Sequence, residues 1–187
     1  ACGWDCAKFQ KRDPDLCVPE HQKQVRRDTP WGEMSYINYK HKIEFQQKEY
    51  EIIDAYCQQK LINWTASVWD LKSLEFLMQF DVPFIKIPSA HFTNKKLIEA
   101  IAEKDQYCIL STGMTNWDMV DEIVNILEKK KTRFALLHCN SSYPAPVNEL
   151  NLSVIPEMKK RYGCMIGYSG HEYDLEPTVL AVALGAE

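Results

Sequence analysis

The sequence predicts an α/β fold in which repeated strand–helix units build a parallel sheet. Three observations carry the prediction: short β-branched or apolar runs alternate with amphipathic stretches, the runs return at a regular interval, and hydroxyl side chains gather where the runs end. An all-helical chain would lack the short runs, and an all-β chain would lack the helical periodicity.

The expected strands are residues 6–10, 62–67, 84–89, 108–112, 134–139 and 165–169. Between them, residues 40–60 carry Ile43, Ile52, Ile53 and Tyr56 among charges, and residues 71–80 present Leu71, Leu74, Phe76, Leu77 and Phe80. Residues 95–104 present Leu97, Ile98 and Ile101 at helical spacing. A helix is expected over 116–131, with Thr115 as N-cap, Asp118, Asp121 and Glu122 early, and Lys129, Lys130 and Lys131 at the end, the order that a helix dipole favours. The last helical pattern covers 175–186; the reading counts six strands and six helical patterns, one of the latter without assigned bounds. From Lys86 to Ser111 is 25 residues and from Ser111 to His138 is 27, the spacing of strand–helix units in a (β/α)₈ barrel. A closed barrel of this kind needs eight strands, so an incomplete barrel is expected, with about strands 2 to 7 present and the first and eighth missing. One long segment, 11–39, interrupts the rhythm just after the first strand with Pro14, Pro19, Pro30 and Gly32; loops in that position build the active face of barrels, so it is expected to cover a substrate.

Composition narrows the function. With 45% hydrophobic and 26% charged residues over 187 positions, the chain can bury a core. A net charge of −4 gives no basic footprint for nucleic acid, and no apolar run is long enough to span a bilayer. Seven cysteines in odd number and without C-x-x-C pairs argue against a disulfide framework or zinc ribbon and fit a reducing cytoplasm. The chain opens at Ala1 with no initiator Met, as a piece of a longer protein would. A small-molecule function is the expectation that remains.

Two lysines stand inside apolar strands: Lys8 between Ala7 and Phe9, and Lys86 between Ile85 and Ile87. A lysine there is costly unless it is paired or faces an anion, and two of them point to one anionic ligand. Hydroxyls follow at the strand ends: Thr65 and Ser67, Ser89, Ser111 and Thr112, Ser141 and Ser142, and Ser169. Together with loop N–H groups they form a phosphate-binding chemistry, although each alone could instead cap the next helix. His171, in Tyr168-Ser169-Gly170-His171-Glu172, follows a strand and a glycine, where an imidazole can hold a divalent metal or simply make a hydrogen bond. His138 and Cys139 could imitate a metal pair, but no further ligand is spaced with them.

These motifs in their order, Asp5-Cys6-Ala7-Lys8-Phe9-Gln10, Thr29-Pro30-Trp31-Gly32, Phe84-Ile85-Lys86-Ile87-Pro88-Ser89, Leu110-Ser111-Thr112-Gly113-Met114, Leu136-Leu137-His138-Cys139 with Tyr143-Pro144, and Ile166-Gly167-Tyr168-Ser169-Gly170-His171, resemble those of the N-acetylneuraminate (sialic acid) synthase family. The resemblance spans nearly the whole chain. It implies a partial synthase barrel over residues 1–187, a cytoplasmic transferase reaction between phosphoenolpyruvate and an N-acetylhexosamine such as N-acetylmannosamine, and the products nonulosonic acid and inorganic phosphate. It assigns Lys8, Thr65, Lys86, Ser89, Ser111, Ser141 and Ser169 to phosphoenolpyruvate, Tyr143 to the sugar, His171 and Lys86 to catalysis, and His171 to one of two histidines that hold Mn²⁺ or Mg²⁺.

The second histidine is expected on the eighth strand, beyond Glu187. A family glutamate on the first strand, and a C-terminal antifreeze-like domain that reaches over the partner's active site in a homodimer, are likewise not in this sequence, so the 187 residues alone are expected to be inactive. Ser141 stands where some members have Asn, and His91 where many have an acidic residue. Two other readings stay open: another phosphoenolpyruvate- or phosphosugar-using barrel, such as an aldolase with an imine-forming lysine, and a truncated remnant without catalysis.

Overall fold

The computed structural model describes residues 3–187 and divides the chain into two compact units, residues 1–83 and 84–187. Each holds parallel strands joined by helices.

In the first unit, β1 (Cys6–Lys11) leads into α1 (Pro14–Cys17), α2 (Glu20–Lys23) and an antiparallel hairpin of β2 (Arg26–Thr29) and β3 (Gly32–Ser35). α3 (Tyr36–Ile43), α4 (Gln47–Lys60), β4 (Asn63–Val68) and α5 (Leu71–Leu77) complete it. β1 and β4 pair in parallel, with Lys8 opposite Thr65. α4 packs an aromatic cluster against them: Tyr50, fully buried, meets Phe76 and Phe80 at 5.2 and 6.3 Å and Trp64 at 5.6 Å. Its hydroxyl donates to the Gln10 carbonyl (2.8 Å), and the Trp64 indole donates to Asp54 (2.8 Å), so each buried ring has a polar anchor.

Two expectations change here. The segment 11–39 is not an irregular loop: Thr29 donates to the Gly32 carbonyl (2.6 Å) and accepts from the Trp31 N–H (3.2 Å), so Thr29-Pro30-Trp31-Gly32 is the turn of a hairpin. The helix over 40–60 is two helices. Glu44 leaves the helical path because its carboxylate is buried against Lys11 (3.2 Å) and the Arg12 guanidinium (3.0 Å), and Glu49 accepts from the Gln46 N–H (2.9 Å) to open the second helix.

The second unit runs β5 (Ile85–Ile87), α6 (Lys95–Ala102), β6 (Cys108–Ser111), α7 (Trp117–Lys129), β7 (Phe134–Cys139), α8 (Val154–Arg161), β8 (Met165–Ser169) and α9 (Glu176–Ala183). β5, β6, β7 and β8 lie side by side in parallel in that order. The core is aliphatic: Ile85, Ile87, Leu97, Ile98, Ile101, Leu110, Ile123, Leu127, Leu136, Ile155 and Ile166 are all at most 1% exposed. Near-continuous apolar strands covered by helices are what a buried parallel sheet demands. The cap of α7 is Asn116, which accepts from the Met119 N–H (3.0 Å), and not Thr115, whose hydroxyl donates to the Thr112 carbonyl (2.5 Å). All six expected strands are present within two residues of their expected ends, two in the first unit and four in the second.

Candidate functional site

The two strand lysines obey one geometric rule. Lys8 is opposite Thr65, and its amine donates to the hydroxyl of Ser67, two residues further along β4 (3.2 Å). Lys86 is opposite Ile109, and its amine donates to Ser111, two residues further along β6 (2.6 Å), and to the Ile87 carbonyl (2.9 Å). Side chains two apart on a strand share a face, so in both cases the lysine leans toward the carboxyl end of the strands and meets a hydroxyl there. Their environments differ. Lys86 is buried, while Lys8 is exposed as a residue, with enough protein around it for desolvation to lower its pKa.

Past Lys86 and Ser111, three strand ends of the second unit converge on Gly113. Its N–H donates to the Ser89 hydroxyl (3.1 Å), and a Cβ at this position would lie 2.7 Å from Ser89 Oγ and 2.2 Å from Ser141 Oγ. Only a glycine lets the backbone come this close to both hydroxyls. Among the described residues the buried Ser141 Oγ has no hydrogen-bond partner, a cost that calls for an explanation beyond the fold. Ser89 donates to Cys139 Sγ (3.4 Å), and Cys139 pairs across the sheet with Ser169.

His171 stands beside this group, with Nδ1 4.0 Å from Cys139 Sγ. Nδ1 is 2.6 Å from the Asn140 carbonyl, which can only accept, so the proton sits on Nδ1 and Nε2 carries the lone pair. That lone pair accepts from the Tyr143 hydroxyl (2.7 Å), whose ring stacks on the imidazole at 3.9 Å. An imidazole oriented through Nδ1–H by a backbone carbonyl is the arrangement that metal-ligating histidines use. His171 thus fits the part of one metal ligand. Among the described residues no three His, Cys, Asp or Glu side chains gather into a group that could hold a metal ion. His138 points elsewhere: its Nε2 donates to the Leu150 carbonyl (2.7 Å), and its ring stacks on Tyr168. His91 closes a 3₁₀ turn, Ser89–His91, at the end of β5.

The structure therefore brings Lys86, Ser89, Ser111, Ser141, Tyr143, Ser169 and His171 together in the second unit, and Lys8, Thr65 and Ser67 in the first. The strand-end hydroxyls do not serve as helix caps: the capping positions of α5, α6, α7, α8 and α9 are Asp70, Asn94, Asn116, Ser153 and Leu175. Sequence reasoning missed Gly113, Cys139 as the contact point of Ser89 and His171, and Asn140, which acts through its backbone. A carbonyl leaves no residue-type signal, and Gly113 gave only the weak one of a glycine after two hydroxyls.

Comparison with known proteins gives the family. The NeuB family model matches residues 1–187. The chain is 36% identical over 191 residues to the N-acetylneuraminate-9-phosphate synthase of Mus musculus, covering all of this chain and 52% of that protein. It is 32% identical to the N,N'-diacetyllegionaminic acid synthase of Campylobacter jejuni, covering 98% and 57%. The sialic acid synthetase of Leptospira borgpetersenii serovar Hardjo-bovis, solved in complex with citrate, superposes with a TM-score of 0.88 at 34% identity, covering 98% of this chain and 60% of that one. The chain spans about half the length of the curated relatives it matches. It belongs to the NeuB family, that of the sialic acid synthases.

Proposed function

We propose that the protein condenses phosphoenolpyruvate with an N-acetylhexosamine and water to give a nonulosonic acid and inorganic phosphate, and that its six parallel strands are part of a (β/α)₈ barrel. The observation that carries the proposal is the buried Lys86–Ser111 pair on β5 and β6, followed two residues on by Gly113 against the hydroxyls of Ser89 and of Ser141, which has no hydrogen-bond partner among the described residues. A buried ammonium with hydroxyl and N–H donors is a receptor for a phosphate or carboxylate. Relatives named as synthases of sialic-type acids support the reaction class.

In this reading Lys86 and the hydroxyls hold the anionic groups of phosphoenolpyruvate, orienting its carbon 3 toward the sugar aldehyde and stabilising charge as it moves. Carbon 3 forms the new C–C bond, water adds at carbon 2, and phosphate departs with the bridging oxygen by C–O cleavage. Ser169 contributes a further hydroxyl, and Tyr143 lies where it can contact the sugar. For Lys8 and Thr65 the family resemblance supports a role toward the same substrate. His171 would hold Mn²⁺ or Mg²⁺ through Nε2, and the cation would supply Lewis-acid polarisation of the aldehyde. The test is to give the full-length protein phosphoenolpyruvate, N-acetylmannosamine or its phosphate, and Mn²⁺, and follow inorganic phosphate and the nonulosonic acid by NMR. The two should appear in equal amounts. Loss of substrate with borohydride-trappable protein adducts would instead point to an imine-forming aldolase.

A further inference from the structure

The turn after β8 closes on itself through one carboxylate. Glu172 Oε2 accepts from the Tyr168 hydroxyl (2.9 Å) and from the backbone N–H of His171 (2.8 Å), and Oε1 faces the Thr178 hydroxyl of α9 at 3.5 Å. Gly170 leaves the room for this: a Cβ there would lie 2.8 and 2.9 Å from the two carboxylate oxygens and 2.9 Å from the Tyr168 ring. Burial, and then the bond to Glu172, push the Tyr168 phenol above its ordinary value, so it remains a donor.

Besides the Tyr143 contact at Nε2, His171 is held at three points. The Asn140 carbonyl accepts from the ring Nδ1–H, the Ala145 N–H donates to the His171 carbonyl (3.1 Å), and Glu172 accepts from the His171 N–H. Two of these restraints come from other backbone groups. Glu172 is the side chain of the three, and its bonds are charge-assisted, the stronger kind.

We propose that Glu172 is a positioning residue, fixing the backbone of His171 so that Nε2 is presented at a set point. The proposal rests on the reading of His171 as a cation ligand. Outer groups that hold a metal ligand typically change metal affinity by about 10- to 100-fold when removed.

The test measures Mn²⁺ binding to the full-length protein by the electron paramagnetic resonance signal of the free ion, at a temperature well below the unfolding of every variant. Glu172→Ala should weaken binding by about 10-fold or more. Glu172→Gln keeps an acceptor oxygen for the His171 N–H and Tyr168 hydroxyl and should lose less than about fivefold. Tyr168→Phe should weaken binding a few-fold in the native background and not at all on top of Glu172→Ala, because both act through one contact. Native affinity in Glu172→Ala overturns the proposal, as does a Gln variant as weak as the Ala variant, since charge and not position would then matter. If Glu172→Ala does not fold, Tyr168→Phe decides, and unchanged affinity there overturns it. His171→Ala separates the two levels: if it binds Mn²⁺ as the native protein does, the cation reading itself fails; if it loses binding while Glu172→Ala keeps it, only the positioning role fails.

Discussion

Lys8 and Lys11 share β1, yet the chain uses them differently, and Lys86 in the second unit shows which of the two it resembles. Lys11 is buried, bonded to the Glu44 carboxylate (3.2 Å) and the Phe45 carbonyl (2.7 Å), with the Phe76 ring 4.8 Å from its amine. That is a lysine whose charge ties α3 and α4 to the strand. Lys8 and Lys86 instead lean by the same register rule onto a hydroxyl of the next strand, Ser67 and Ser111. Burial alone therefore does not separate the two kinds of lysine, because Lys11 and Lys86 are both buried; the partner and the direction of the amine do.

The largest expected effect tests the structural lysine. Glu44→Ala leaves Lys11 and Arg12 without their shared carboxylate, and removal of one partner from a buried pair costs about 3–5 kcal/mol. Denaturant unfolding should show a loss of that size. A loss under about 1 kcal/mol, the ordinary value of a surface pair, would place Lys11 with the solvated lysines.

Next come the two hydroxyls. Ser111→Ala removes an acceptor from a buried amine and should cost about 1–3 kcal/mol, whereas Ser67→Ala leaves Lys8 free to turn to water and should cost less. Equal losses would mean that the difference in burial has no energetic consequence.

The smallest effect is in pH. Desolvation lowers the Lys8 pKa, so between its folded value and the ordinary lysine value near 10.4 the unfolded chain binds more protons than the folded one. Stability against unfolding should therefore gain a small increment as pH rises through that window. Phosphoenolpyruvate binding should move the other way, weakening there as Lys8 loses its charge, and Lys8→Arg should remove both trends. Persistence of the alkaline weakening in Lys8→Arg would assign it to another group.

The strands were legible because each is a short apolar run between helical patterns, and the candidate site residues stood out because lysine and serine are out of place in such runs. The segment 11–39 was not legible, because the hairpin's strands, Arg-Arg-Asp-Thr and Gly-Glu-Met-Ser, carry no apolar alternation and are held by backbone pairing. The break between α3 and α4 was hidden for a related reason: Glu44 ends the helix through a contact with Lys11 and Arg12, more than thirty positions away. Pro156 lies in the first turn of α8, where the missing N–H is not needed. At the site, residue types pointed to the hydroxyls and His171, but the backbone groups of Gly113 and Asn140 that organise them have no such signature.

Calorimetric titration of phosphoenolpyruvate into the native full-length protein and into Lys86→Met, which keeps the buried stem and removes the amine, tests the central claim most directly. The account predicts binding by the native protein and a loss of about 1.5–3 kcal/mol in the variant, the value of a hydrogen bond to a charged group. Equal affinity in the two proteins, with both folded, would contradict it.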